Sequence, residues 1–300
     1  MFPIAYHPIY KHPLPEGHRF PMIKYELLPQ QLVLEGIVES SAFFEPDMPD
    51  MQPILAVHQK EYVADLIRLT LDPRAVRKIG FPLSVELVER ELRLAQGTIR
   101  GAEKALQTGI AFNIAGGTHH AYADHGEAFC LLNDQAIAAQ YLLDHKLAEK
   151  ILIVDLDVHQ GNGTAAIFEH NRSVFTFSMH GQSNYPFKKE RSDLDIALPD
   201  HTSDDAYLSL LHQTLPQLIA TQRPDFIFYL SGVDILASDK LGKLACSIDA
   251  CKKRDEIVFT HCHSAGIPVQ CSMGGGYSPD IRTIIQAHTN TYRVASYIYS

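Results

Sequence analysis

The sequence predicts an α/β fold, a parallel sheet covered on both faces by helices, and three observations predict it. Short apolar runs recur along the chain without strict alternation, the pattern of strands buried on both faces. Longer stretches with apolar residues three and four apart lie between them, as core-facing helices do. Polar or glycine-rich residues follow every apolar run, so each reactive candidate falls at the carboxyl end of a strand. In chain order, residues 84–107 read as a helix and Ala111 to Ile114 as a strand; 134–148 follow as a helix, then Ile151 to Val154 and Val174 to Phe177 as strands. Residues 204–222 read as a helix, Phe226 to Leu230 as a strand, 248–265 as a helix, Ile267 to Cys271 as a strand and 278–298 as a closing helix. Helix and strand alternating in this way imply a parallel sheet.

The 300 residues are 46% hydrophobic, enough for a large core, and no linker-like tract or internal repeat divides them, so residues 1–300 read as one domain. A net charge of −9 and a pI of about 5.9 argue against direct nucleic-acid binding through a broad basic surface. The N-terminus lacks a basic region leading into an apolar core. Nor does any segment reach the roughly 18 uninterrupted apolar residues of a membrane span. Five cysteines with no Cys-x-x-Cys pair speak against a disulfide framework or a cysteine zinc site and point to a reducing cytoplasm.

Five segments distant in sequence should therefore converge on one crevice: Gly116-Gly-Thr-His-His120, Asp155 to Thr164, Ser178-Met-His180, Ser231-Gly-Val-Asp234 and Gly274-Gly-Gly-Tyr277. Asp155, Asp157 and His159 leave one strand at spacing two and are expected on the same side. Two carboxylates and an imidazole suit zinc or another divalent metal. Asp234, leaving a second strand, supplies the third ligand beside Asp157 and His159. Asp155 either orients a histidine or joins a monovalent-cation site. The adjacent His119 and His120 can move protons near neutral pH, and the Tyr277 phenol can donate to a carbonyl oxygen gaining charge.

Taken together, Gly-Gly-x-His-His-Ala (116–121), Phe-Cys-x-x-Asn-Asp (129–134), Asp-x-Asp-x-His-x-Gly-Asn-Gly-Thr (155–164), Ser-x-His (178–180), Ser-Gly-x-Asp (231–234) and Gly-Gly-Gly-Tyr (274–277) make the chain resemble a zinc-dependent histone deacetylase over nearly its whole length. His18 to Tyr25 and Ile79-Gly-Phe-Pro82 are similar to the small class IV members and their bacterial relatives. The resemblance implies a single-domain, three-layer αβα arginase/deacetylase-type fold with a mostly parallel eight-stranded sheet. It also implies hydrolysis of acyl-lysine amides, long fatty acyl groups included, with one zinc per chain on Asp157, His159 and Asp234. By the same match His120 is general base then acid, His119 assists with Asp155 orienting it, Asn162 partners the second histidine, and Tyr277 polarises the carbonyl. Phe129, Tyr185, Gly275 and Leu241 line the substrate tunnel, and Arg19 sits at an inner cavity where the released acid leaves. A structural potassium or sodium is expected near Asp155, Asp157, His159, Ser178 and Met179, and a second near Phe168, Asn171 and Val174.

Four departures qualify that picture. Asn162 stands where class I members have an aspartate, so imidazolium at His120 is stabilised less. Ala128 replaces a glycine before Phe129, and Thr118 replaces a bulky residue, which leaves acyl-chain preference open. No counterpart of the class I rim aspartate is found. Three other readings remain: an acylpolyamine amidohydrolase acting on a small acylated amine, a two-manganese ureohydrolase, and a non-catalytic acyl-lysine reader. The second wants carboxylates where this chain has Gly161 and Leu236.

Overall fold

The computed structural model describes residues 2–300. Its strands are β1 (Ile4–Ala5), β2 (Phe43–Phe44), β3 (Ile110–Asn113), β4 (Ile151–Asp155), β5 (Val174–Gly181), β6 (Leu194–Leu198), β7 (Phe226–Leu230) and β8 (Val269–Ser272). They form one sheet in the order β2-β1-β3-β8-β7-β4-β5-β6, and every pairing is parallel, so the expectation of a mostly parallel sheet is sharpened to an entirely parallel one.

The helices are α1 (Lys24–Leu34), α2 (Met51–Leu55), α3 (Lys60–Arg68), α4 (Pro73–Ile79), α5 (Val85–Thr108), α6 (Asp134–Asp144), α7 (Asn162–Phe168), α8 (Asp204–Gln222), α9 (Ile248–Ala265) and α10 (Ile281–Ile298). Neighbouring residues of β3 show why the arrangement has three layers. Asn113 turns to α5, donating to Leu94 O and Thr98, whereas Phe112 packs on Phe259 of α9 and Tyr292 of α10. α6 packs against α5, and α8 against α9.

Strands β1, β2 and β6 and helices α1 to α4 and α7 were not foreseen from periodicity. Two-residue strands carry no period, and α1 contains Pro29. The helix expected over 134–148 ends at Asp144, because the Leu147 and Ala148 amides fold back onto Leu142 O. Among the described residues no helix is long and apolar enough to cross a membrane. All five cysteines are free and buried, and burial pushes the Cys251 and Cys262 thiols up to about 12.

Register fixes what happens at the carboxyl edge. Asn113 pairs with Ser272, Ser272 with Leu230, Leu230 with Asp155, and Asp155 with Ser178. Four strands thus end in one row with β5 alongside, and the polar segments that follow start from a common level.

Candidate active site

Beyond that row the backbone, rather than strand alternation, gathers the acidic residues. β4 ends at Asp155, so Asp157 and His159 stand on the following turn; the expectation that they leave on the strand itself is corrected, although Asp157 meets His159 at 2.9 Å and His119 lies against both Asp155 and Asp157. The Asp157 amide donates to Asp155 Oδ1 (3.1 Å), the His159 amide to Asp157 Oδ1 (2.9 Å) and the Val158 amide to Asp234 Oδ1 (3.0 Å). A Cβ at Gly275 would overlap the Asp234 carboxylate, which explains a glycine there; its amide donates to Asp157 Oδ2 at 2.9 Å.

Ligand atoms of Asp157, His159 and Asp234 lie within 4.8 Å of one another, and all three residues are buried. Burial, reinforced by the Asp157 charge, pushes Asp234 up to about 7. His159 Nδ1 is 2.9 Å from Asp157 and 3.2 Å from Asp234. Burial works against its charge, but these carboxylates carry its pKa to about 10. The cluster therefore calls for positive charge, and its two carboxylates and one imidazole are donors a divalent zinc accepts.

The two adjacent histidines face this cluster with ring centroids 4.1 Å apart. His119 Nδ1 meets Asp155 Oδ2 at 2.7 Å. Burial disfavours its charge, yet the Asp155 attraction outweighs that and raises its pKa. His120 Nδ1 meets Asn162 Oδ1 at 2.6 Å, and burial together with the nearby His119 and His159 holds it well below the ordinary imidazole value. Tyr277 is anchored by its amide, which donates to Asp239 Oδ2 at 2.6 Å, and its ring lies 6.4 Å from that of His159. Burial pushes its phenol well up, which keeps the proton on the oxygen.

A cavity of about 40 Å³ runs between these groups, lined by Phe129, Gly275, Tyr277, both histidines, Asp157 and His159. Lys24, Arg90, Tyr25 and Leu94, all buried, line it as well. Tyr185 stands edge-on to the His120 ring at 5.0 Å and is half-buried. Arg19 is a correction: it is exposed, with its guanidinium 4.9 Å above the Phe129 ring, and the buried cations of the cavity are Lys24 and Arg90. Leu241 is also corrected, since it does not line the cavity; its carbonyl accepts from Asn184 and its amide donates to Asp239.

Around the expected cation positions, Asp155 neighbours Ser178 in register, and Ser178 Oγ lies 3.0 Å from His180 Nδ1. Met179 is buried in β5. The turn from α7 to β5 carries Phe168, Asn171 and Val174, with the Asn171 amide donating to Phe168 O and Asn171 Oδ1 accepting from Ser173. Asn133 caps α6 at the Ala136 amide and donates to Ala121 O and Thr164. Asp134 accepts from Thr98, Thr118 and Ser272, so this pair braces the histidine loop from behind.

Four positions escaped sequence reasoning. Lys24, 2% exposed, donates from Nζ to Gly275 O (2.8 Å), and burial lowers it to about 8. Asp239 accepts the amides of Leu241, Gly242 and Tyr277. Arg254, paired with Asp255, donates to Gly232 O between the ligand strands. Glu127 sits behind Asn162. Only Asp239 had a signal, an acid five residues beyond Asp234; the others lie in segments whose local pattern is unremarkable.

The histone deacetylase domain model matches residues 18–292. An uncharacterized protein of Picosynechococcus sp. is 45% identical, covering 99% of both chains. Histone deacetylase 2 of Arabidopsis thaliana is 29% identical over 89% of this chain and 72% of its own. The crystal structure of an HDAC homolog complexed with SAHA superposes with a TM-score of 0.84 at 23% identity, covering 98% of this chain and 84% of that one, which is a likeness of fold.

Proposed function

The chain belongs to the histone deacetylase family, and from that premise we propose that it hydrolyses short-chain Nε-acyl-lysine amides in proteins or peptides, with one zinc ion per chain on Asp157, His159 and Asp234. The observation that carries this reading is one buried cavity holding an Asp-His-Asp donor set beside two histidines with unlike partners, a carboxylate and an amide. Zinc, when bound, polarises the acyl carbonyl and makes the attacking water more acidic. The residues do the rest. Phe129 and Tyr185 flank the lysine stem, and Tyr277 donates to the carbonyl oxygen as it gains charge. His120, neutral and 2.6 Å from an amide partner, takes the proton of the attacking water and delivers it to the departing amine. His119, whose charged form Asp155 favours, balances the negative charge that develops.

A cavity of about 40 Å³ lined by Lys24 and Arg90 suits an acetyl-sized group better than a fatty chain, since it has room for only a few water molecules. We read residues 1–300 as one catalytic domain, because the single sheet takes strands from β1 through β8. The class IV likeness, structural potassium or sodium at Asp155, Asp157, His159, Ser178 and Met179 and at Phe168, Asn171 and Val174, and a cytoplasmic setting for five free thiols belong to the same reading.

The test is turnover by zinc-loaded protein across lysine peptides acylated from acetyl to myristoyl, with an acetylpolyamine in parallel. Acetyl-lysine is expected to be cleaved fastest. Turnover rising with chain length would overturn the short-chain reading, and turnover of the polyamine alone would move the substrate class to small amides.

A further inference from the structure

Behind the His120 and Asn162 pair lies a carboxylate that the reaction as described does not use. Glu127 is 3% exposed, yet it sits in the turn before Phe129, where the Ala128 and Phe129 amides donate to Lys78 O and Ile79 O. One of its oxygens accepts from Asn162 Nδ2 at 2.5 Å, and the other is ion-paired with Lys78 Nζ at 2.6 Å. Asn162 Nδ2 has a second neighbour, the Tyr122 oxygen at 3.0 Å, whose own proton goes to Glu190 at 3.1 Å. Both groups facing that side of the Asn162 amide therefore accept and cannot donate.

An amide side chain is a two-ended polar switch: whichever end points one way, the other end points back. With acceptors on one side, Asn162 must place NH₂ toward Glu127 and its oxygen toward His120. His120 must then carry its proton on Nδ1, which leaves the Nε2 lone pair free. We propose that Glu127 is a positioning residue that sets the tautomer of His120 through the Asn162 amide. The inference deepens the hydrolase reading and rests on it for its catalytic consequence, though not for the tautomer itself.

The same logic gives the effect of removing one charge. In Glu127→Gln the Lys78 ammonium, which only donates, turns the new carbonyl toward itself and the new NH₂ toward Asn162. The Asn162 amide then inverts, its NH₂ faces His120 Nδ1, and the imidazole proton moves to Nε2, where it blocks proton acceptance. The bonds of Asn162 to residue 127 and to His120 survive with their directions reversed, the Lys78 bond keeps its direction, and only the Tyr122 hydroxyl must turn from Glu190 to the Asn162 oxygen, so the fold has little reason to change. Glu127→Asp keeps an acceptor and keeps the tautomer. Asn162→Asp placed in Glu127→Gln restores an acceptor beside Nδ1, whichever way the Gln points.

The experiment is ¹⁵N NMR of labelled histidines, in zinc-loaded and metal-free protein, to assign the protonated nitrogen of His120, read together with kcat and KM. Expected are Nδ1–H in the wild type and in E127D, and Nε2–H in E127Q. With that switch kcat falls by about tenfold to a hundredfold at little changed KM, and Asn162→Asp in E127Q recovers most of it. Nε2–H in the wild type, or Nδ1–H retained in E127Q, overturns the proposal, as does a double variant no faster than E127Q. Should E127Q fail to fold, the wild-type assignment and E127D still decide. If the tautomer switches as expected while the wild type cleaves no acyl-lysine, the inference stands and the hydrolase reading falls.

Discussion

His119 and His120 are adjacent in the chain and stacked in space, yet one is partnered by Asp155 at 2.7 Å and the other by Asn162 at 2.6 Å, and their pKa values move in opposite directions. Both are buried, so burial alone does not separate them. The partner decides: a carboxylate favours imidazolium, while an amide oxygen only orients the ring. Two identical side chains are thereby biased in opposite directions, one toward the charged form and the other toward the free base, which fits the division of labour proposed for them.

The largest test of that contrast is His120→Ala against His119→Ala. Replacing the base should cost about 10³-fold in kcat and replacing the charge nearer tenfold, with thermal melts showing both folded; equal losses would erase the distinction. Next, Asp155→Asn removes the charge beside His119, and kcat should fall several-fold with KM retained. Asn162→Asp in the wild-type background gives His120 a charged partner. The acid limb of the kcat/KM profile should then move up in pH, because imidazolium is now favoured and the free base is lost sooner on acidification. It also sets a new carboxylate against Glu127, so stability should drop by about 1–3 kcal/mol in denaturant unfolding.

His58 extends the comparison away from the cavity. Like His120 it is buried, with no carboxylate partner: its Nε2 accepts from the Asn133 amide, and burial lowers it to about 4. Above pH 6.5 it is neutral in folded and unfolded chains alike. As pH falls from 6.5 to 4 only the unfolded chain takes up the proton, so stability is lost across that window, by about 3 kcal/mol. His58→Gln keeps an acceptor, and unfolding curves at pH 7 and pH 4.5 should show a weaker acid dependence than the wild type. The smallest effect belongs to Ala128, whose φ of 47° lies in the left-handed region on the His120 side of the site. Ala128→Gly should stabilise by about 0.5–1 kcal/mol, read as a small rise in melting temperature.

The contrast between the histidines was half legible in the sequence. His119, His120, Asp155 and Asn162 could be named because each follows an apolar strand or sits in a dense motif, and strand ends gather in a parallel sheet. The sign of each partnership was also readable, as Asp against Asn. Glu127 and Lys24 were not, since neither follows an apolar strand: Glu127 stands in the turn before Phe129 and Lys24 opens α1, so nothing local marks the bonds of Glu127 to Asn162 and Lys78 or of Lys24 to Gly275. Arg19 went astray for a related reason. Its place depends on how the irregular segment before α1 runs, and that segment has no periodicity; the chain turns Lys24 inward instead.

The strand order has a consequence for how the chain is made. β8 lies between β3 and β7, so Ile110 finds its neighbour only when Val269 is available, and the centre of the sheet is completed by the last of its eight strands in chain order. Until then the apolar strand β3 waits with one edge bare, and the Gly274 to Tyr277 loop that follows β8 cannot be in place. Such long-range closure is slow and leaves sticky intermediates, so chains truncated before β8 should aggregate, and the complete chain should refold late and all at once.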